Sequence, residues 1–215
     1  MINNKIIIPK QIYLILLMAA VLILGRIILF HSFSLIYMFW NLFLACLAFM
    51  VSSIILLHQN EGKLTRPLFI IGGIFWLLFL PNTFYLVTDL IHMGYGRSVP
   101  ILYDVFMLFS AGLAGLLIGI YSILHVDKVL NLRYSKKTSF IIITLIMLLT
   151  SFGMYLGRFL RFNSWDIFTV PHVLVKQTFE LIAHPVNNLG AYGYIALFFF
   201  FIAISYNSWK DSDLK

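Results

Sequence analysis

Six long apolar runs constrain the fold of this chain more than any other feature. They cover residues 12–30, 35–57, 68–93, 101–126, 139–159 and 189–206. A helix needs about 20 apolar residues to cross the hydrocarbon core of a bilayer, and spanning segments must satisfy their own backbone hydrogen bonds there. The sequence therefore predicts an all-α, polytopic transmembrane helical bundle of six spans. Residues 1–215 are expected to form a single integral membrane domain.

The composition agrees with this prediction and excludes a soluble class. Hydrophobic residues make up 61% of the chain and charged residues only 11%, whereas soluble domains are about 45–50% apolar and about 25% charged. The first run is expected to be a retained helix, since no small-residue cleavage site follows it. The single cysteine, Cys46, excludes an intramolecular disulfide and cysteine-based zinc or redox motifs.

The basic residues predict which way the spans cross the membrane. Ten of them fall on the side that holds both termini and four on the other side, so the positive-inside rule places both termini in the cytoplasm. The ten are Lys5, Lys10, Lys63, Arg66, Lys128, Arg133, Lys136, Lys137, Lys210 and Lys215, and the four are Arg97, Arg158, Arg161 and Lys176. The segment "DKVLNLRYSKK" is interpreted as a cytoplasmic loop that contacts anionic lipid, so no nucleic-acid partner is expected.

The longest external connection, residues 161–188, predicts a short amphipathic helix on the outer surface. Pro171 suits the first turn of a helix. Lys176 and Glu180 fall on one side, and Trp165 and Phe168 are suited to anchor the segment at the interface. The apolar residues on the opposite side are Val170, Val173, Leu174, Leu181 and Ile182. A surface helix packed on the bundle is the alternative interpretation.

The third run ends in a polar segment, "LPNTFYLVTDLIH". On a helix, Asn82, Tyr85, Asp89 and His92 share one stripe. Pro81 predicts a kink, where the Asn82 amide could bond a freed carbonyl. An aspartate facing lipid costs several kcal/mol, so this stripe is expected to face protein or a water-filled cavity.

Other polar groups are predicted at the same outer level, whereas the inner halves of the spans read as almost purely apolar. They are Arg26 in span 1, Tyr103 and Asp104 in span 4, Arg158, Arg161, Asn163, Trp165 and Asp166 after span 5, and His172 and His184 in the connection. The small-residue stripes Ala111–Gly115–Gly119 and Gly153–Gly157 predict close helix packing. The polar groups are therefore expected to converge in one outer-leaflet cavity, in which Arg161 pairs with Asp104 or Asp89.

These motifs resemble a known family. "FLPNTFYLVTDLIH", the Tyr103–Asp104 pair and "GRFLRFNSWD" are similar to bacterial integral membrane proteins catalogued as domain of unknown function 1361. The resemblance covers roughly residues 68–166 well and the flanking spans more loosely. Thr83 and Phe84 depart from the Pro-Asn-Ala-Pro expected there, which removes a second proline. The resemblance implies a multi-pass protein of the bacterial cytoplasmic (plasma) membrane and supplies no activity.

Three functions are compatible with the polar cluster, and the sequence leaves open whether the chain is an enzyme. The first is binding of, or action on, a lipid or lipid-linked cell-envelope substrate, with Asp89, His92 and Asp104 as catalytic candidates. Head-group contacts would come from Asn82, Tyr85, Tyr103, Arg158, Arg161, Asn163, Trp165 and Asp166. The second is an accessory or scaffold role beside an envelope protein, in which the charges pair structurally. The third is a transporter or flippase.

A metal site is not assigned, and the sequence identifies no cofactor. A metal version of the site would use His92, Asp89 and either Asp104 or His172. However, "DLIH" lacks the HExxH spacing of zinc hydrolases, and loose mixtures of aspartate and histidine are weakly specific for metal.

Overall fold

A computed structural model describes residues 10–93 and 99–213, and every regular element among them is helical. The helices are α1 (Lys10–Phe30), α2 (Tyr37–Asn60), α3 (Arg66–Thr88), α4 (Ile101–Arg133), α5 (Lys136–Phe159), α6 (Asp166–Thr169), α7 (Pro171–Ala183) and α8 (Leu189–Asp213). Two 3₁₀ turns, Asp89–His92 and Val186–Asn188, precede α4 and α8. Six of the helices, α1–α5 and α8, are long and apolar enough to cross a membrane. The predicted six-span helical bundle is confirmed, while the orientation of the termini stays a prediction.

Two helix ends differ from the prediction. Span 4 was expected to end at residue 126, but α4 continues through Asp127–Arg133, which was interpreted as loop. The extension is held by side chains, because the Arg133 Nε donates to Gln59 Oε1 at 2.6 Å and the Asn131 amide donates to Asp127 Oδ1 at 3.0 Å. In span 3, α3 ends at Thr88, and the 3₁₀ turn that follows interrupts the predicted helical stripe at Asp89.

Pro81 lies inside α3, which continues through it. The Asn82 amide donates to the carbonyl oxygen of Phe79 at 3.2 Å. The expected carbonyl was that of Leu77, which loses its helical donor at Pro81. Asn82 thus bonds the backbone of this turn, at a different acceptor from the one expected.

The chain forms two compact units, Met1–Ser139 and Phe140–Lys215. The first contains α1–α4, and its helices pack around a core of apolar and small side chains. The core comprises Ala19, Ile23, Leu35, Met38, Leu42, Ala45, Leu86, Met107, Leu108, Ala111 and Ala114. The end of this unit that carries the α1–α2 connection, the 3₁₀ turn after α3 and the start of α4 is called the Asp104 end below. That the two units form one domain stays a prediction.

The small-residue stripe of α4 packs closely, as the sequence predicts, and its partner is α3. A Cβ atom added at Gly115 would collide with the carbonyl oxygen of Thr83 and lie 2.8 Å from Leu86 Cδ1. One at Gly119 would meet the Phe84 ring at 2.7 Å. Glycine is therefore required at both positions for α3 and α4 to approach as closely as they do.

In the second unit, α5, α7 and α8 share a small core. Leu181 of α7 packs with Ala191 and Ile195 of α8 and with Phe152 and Tyr155 of α5. The Tyr192 hydroxyl also donates to the carbonyl oxygen of Leu181 at 3.0 Å. The predicted helix of the connection is thus present as α7.

The predicted apolar side of α7 is wrong in its composition. Leu181 is buried against protein, while its neighbour Ile182 is exposed. The two were placed on one side of the helix, facing either lipid or the bundle, because both are apolar. Contacts with α5 and α8 separate them, so α7 packs on its unit and exposes a different apolar set.

Candidate functional site

Two opposite charges, those of Arg26 and Asp104, are buried together in the first unit. Their side chains are 1% and 0% exposed. The Arg26 Nε donates to Asp104 Oδ1 at 2.8 Å, and Nη2 donates to Oδ2 at 3.3 Å. This two-point contact joins α1 to the first turn of α4 with the geometry that guanidinium and carboxylate groups prefer.

The remaining guanidinium nitrogen of Arg26 is bonded to the α1–α2 connection. Its Nη1 donates to Ser32 Oγ at 2.7 Å and to Ser34 Oγ at 3.0 Å. All three nitrogens therefore have acceptors, as a buried charge requires. The guanidinium partner of Asp104 is Arg26, whereas the sequence predicted that Arg161 would pair with Asp104 or Asp89. The reason is that sequence does not reveal which spans are neighbours.

Tyr103 supports the same junction. Its hydroxyl donates to the carbonyl oxygen of Leu22 in α1 at 2.8 Å, and its ring packs edge-on against Phe30 with centroids 5.1 Å apart. Gly25 leaves room for this hydroxyl, since any Cβ there would overlap it. These contacts favour a structural role for Tyr103 and Asp104 over the catalytic and binding roles predicted from the sequence.

A second carboxylate, Asp89, lies at the same end of the unit in a different environment. It is fully buried, its Oδ2 accepts from the Asn41 amide of α2 at 3.2 Å, and its Oδ1 lies 3.9 Å from His92 Nε2. The 3₁₀ turn brings Asp89 and His92 together within one short segment. The ring of Tyr37 meets the His92 ring edge-on, with centroids 6.0 Å apart.

Asn41 and Tyr37 are contributed by α2 and were missed in the sequence. Asn41 is an isolated amide in an apolar run, and 48 positions separate it from Asp89. No spacing rule links two residues that far apart. The only available signal was the cost of burying an unpaired amide, which predicts that Asn41 has some polar partner but does not identify it.

The Asp89–His92 pair is the part of this end that could carry chemistry. The His92 side chain is 24% exposed, while that of Asp89 behind it is 0% exposed. A buried carboxylate beside an imidazole orients the ring and stabilises its protonated form, as in proton-transfer sites. Within residues 10–93 and 99–213, no three histidine, cysteine, aspartate or glutamate side chains are grouped to hold a metal ion.

The other predicted residues of span 3 flank this pair. Asn82 and Tyr85 are half-buried. Tyr85 precedes Asp89 by four positions and so lies one helical turn away. Asn82 lies a further turn back and bonds the α3 backbone through its amide.

The predicted residues after span 5 belong to the second unit. Arg161 adopts a φ of 59°, in the left-handed region that favours glycine, at the turn where α5 ends. Asp166 Oδ2 accepts from the Asn163 backbone N–H at 2.7 Å, and Oδ1 accepts from the Thr169 hydroxyl at 3.0 Å, so this carboxylate organises its own loop. Arg158 is half-buried and Trp165 exposed. Their convergence with Asp89 and His92 stays a prediction.

A second polar cluster lies nearer the opposite end of the first unit and was not predicted. The Trp76 indole N–H donates to Ser122 Oγ at 2.6 Å, and the Ser122 hydroxyl donates to Ser52 Oγ at 3.0 Å. His125 Nδ1 lies 3.4 Å from the hydroxyls of both Ser52 and Ser53. The expectation of almost purely apolar inner halves is therefore wrong. The cluster was missed because single serines within apolar runs form a network only when the helices pack together.

Comparison with known proteins identifies a family and no characterised relative. No curated protein and no solved structure matches the chain. A family model described as "Protein of unknown function (DUF1361)" matches residues 40–205, which is more than half of the 215 residues. The match includes the Asp89–His92 pair and the motif after α5, and it confirms the resemblance seen in the sequence. With six helices long and apolar enough to cross a membrane, the chain belongs to the DUF1361 family.

Proposed function

We propose that this protein binds a lipid or lipid-linked cell-envelope substrate at the Asp89–His92 pair and that His92 transfers a proton to or from its head group. The observation that carries the proposal is the pairing of a fully buried carboxylate with a partly exposed imidazole. Imidazole is the side chain whose unperturbed pKa allows it to gain and lose a proton near neutral pH.

The surroundings of the pair support a proton-transfer role over a structural one. The Arg26–Asp104 ion pair already joins α1 to α4 through two hydrogen bonds. The Nε2 atom of His92 lies 3.9 Å from Asp89 Oδ1, at ion-pair distance. Asn41 holds the other carboxylate oxygen, which fixes Asp89 behind the ring.

An amphiphilic substrate fits the position of His92. Ile91 and Met93, on either side of it, are both exposed apolar residues. The pair also follows directly on α3, which is long and apolar enough to cross a membrane. A head group at the end of this span could reach the imidazole while its acyl chains remain in the bilayer, at the outer leaflet if the predicted orientation holds.

The test compares envelope lipids and lipid-linked polymers by mass spectrometry in cells with wild-type protein, no protein, or His92→Asn. His58→Asn is the matched control, because His58 lies on α2 at the far end of the unit and bonds the Ile54 carbonyl. We expect His92→Asn to accumulate the same lipid species as the deletion at normal protein level, while His58→Asn matches wild type. A His92→Asn strain identical to wild type in every lipid class would exclude catalysis through this histidine.

The accessory role is the second candidate function, and the Arg26–Asp104 pair is the observation that favours it. A bundle locked by a buried ion pair is suited to hold a partner without reacting. That role would be supported if deletion altered envelope assembly while His92→Asn did not. A transport role has less support, since α3 and α4 touch at Gly115 and leave no room for a methyl group between them.

A further inference from the structure

A row of apolar side chains projects from α7 away from the core of its unit. Val175, Phe179 and Ile182 are 66%, 67% and 65% exposed. Their spacing of four and three residues places them on one side of α7, within a sector of about 60° at 3.6 residues per turn. These three residues are called the α7 stripe.

The stripe cannot turn inward, because the other side of α7 is fixed to protein. Leu181 packs against Ala191 and Ile195, and the Tyr192 hydroxyl bonds its carbonyl. The Asn188 amide caps the C-terminal end of α7 by donating to the His184 carbonyl at 2.9 Å. The α7 stripe therefore remains on the surface of the second unit.

The polar residues of α7 occupy a separate sector beside the stripe. Lys176 and Glu180 are exposed and lie 4.0 Å apart as an i, i+4 pair. An apolar strip bordered by a long cationic side chain is the pattern of a helix that lies in the plane of a membrane interface. In water, such a contiguous exposed strip would be unfavourable.

Chain connectivity places α7 beside the bilayer. The spanning segment Val186–Lys210 begins three positions after α7 ends at Ala183. Val186, the first residue of this segment, is 76% exposed, and the next exposed apolar residue is Leu189, the first residue of α8. The α7 stripe is therefore followed closely in the chain by exposed apolar residues of a segment suited to contact lipid.

From these observations we infer that the α7 stripe binds the membrane itself, embedded at the boundary between head groups and acyl chains. The Leu181 side of α7 holds the helix on the protein, and the stripe holds the same helix in lipid. Lys176 and Glu180 remain at the head-group level. Trp165, exposed in the connection before α7, is suited to the same level.

Spin-label accessibility of the full chain in phosphatidylcholine vesicles tests this inference. Single cysteines replace Val175, Phe179 or Ile182 in a Cys46→Ala background, and Lys176→Cys and Glu180→Cys are matched controls on the same helix. The spin label can collide with oxygen, which concentrates in lipid, or with a nickel chelate, which stays in water. We expect the ratio of oxygen collisions to nickel collisions to be several-fold higher at the stripe positions than at the controls. Correct folding is checked by requiring each labelled variant to elute as the unlabelled protein does.

Two results would overturn the inference. Nickel accessibility at Phe179→Cys equal to that at Lys176→Cys would place the stripe in water. Protection from both reagents would place it against protein, and disulfide cross-linking through Phe179→Cys would then show whether that protein is a second copy of this chain. Neither result depends on His92, so the outcome is independent of the proposed activity.

Discussion

Burial alone does not separate the two carboxylates at the Asp104 end, but their partners do. Asp104 and Asp89 are both fully buried. Asp104 accepts two hydrogen bonds from a guanidinium that is itself buried, whereas Asp89 lies beside an imidazole that reaches the surface. A charge enclosed on all sides stabilises a fold, while one that meets an accessible titratable group can also take part in proton transfer.

The first prediction concerns the Arg26–Asp104 pair. Asp104→Ala leaves the Arg26 charge buried without its carboxylate, which should lower the free energy of unfolding by about 3–5 kcal/mol. The double variant Arg26→Met/Asp104→Leu removes both charges and should recover most of that loss. Thermal unfolding of the purified protein in detergent measures both effects.

The control for this prediction is Glu61→Gln. Glu61 pairs with Lys63 at 2.7 Å on the surface between α2 and α3, and solvent screens such a pair. Its melting temperature should equal that of wild type. An Asp104→Ala variant as stable as Glu61→Gln would contradict a stabilising role for the buried pair.

The polar residues of the site can be recognised in the sequence, but their partners cannot. Asp89, His92, Asp104 and Arg26 were recognisable because charged or titratable groups within apolar runs are costly. The Asp104–Arg26 and Asp89–Asn41 contacts were not predictable, since each joins different helices across 78 and 48 positions. Such pairings depend on which helices are neighbours, and one sequence does not contain that information.

At the scale of helices, the small-residue stripe of α4 predicted a close helix contact, and the structure identifies α3 as the partner. The small residues at four-position spacing on α4 lie against the Thr83–Leu86 turn of α3. Without water to drive association inside a bilayer, such contacts depend on shape. The packing of α3 on α4 should therefore be sensitive to single methyl groups.

The second prediction is that Gly115→Ala destabilises the first unit by about 1–3 kcal/mol, because its Cβ would overlap the Thr83 carbonyl. Gly73→Ala on α3 is the matched control, since nothing lies within 4 Å of a Cβ there. Alanine at Gly73 should be neutral or stabilise by up to about 1 kcal/mol through helix propensity. Unfolding midpoints of the two variants give the comparison, and equal midpoints would show that α3 and α4 are not in tight contact.

Helix positions were predictable from the sequence, but helix ends were not. The apolar runs located all six spanning helices, because length and hydropathy decide which segments enter lipid. The apolar runs did not predict that Asp127–Arg133 is helical, because its charged residues are typical of a loop. Contacts with Gln59 and within α4 keep this segment helical. The apolar pattern also continued past Thr88, where the backbone tightens into a 3₁₀ turn.

At the scale of the whole molecule, charge rather than packing should decide the orientation. Ten basic residues fall on the side of both termini and four on the other. Short loops with an excess of lysine and arginine are retained in the cytoplasm. The orientation determines which compartment His92 can sample.

The third prediction tests this orientation with reporter fusions. A fusion after Tyr134, between α4 and α5, should report a cytoplasmic position, and a fusion after Tyr95, between α3 and α4, an external one. Paired reporters active on opposite sides of the membrane provide the internal control. The reversed pattern would place the Asp89–His92 pair in the cytoplasm and would exclude an outer-leaflet substrate.

The ion pair between Arg26 and Asp104 also has a consequence for synthesis. The two residues are 78 positions apart, so at about 5–20 residues per second a ribosome needs roughly 4–16 s between them. During that interval Arg26 is present without its carboxylate. It lies four residues before the end of α1 at Phe30, close enough for its side chain to reach head-group water. The first span can therefore enter the membrane early, but it can settle into its final position only after α4 has been inserted.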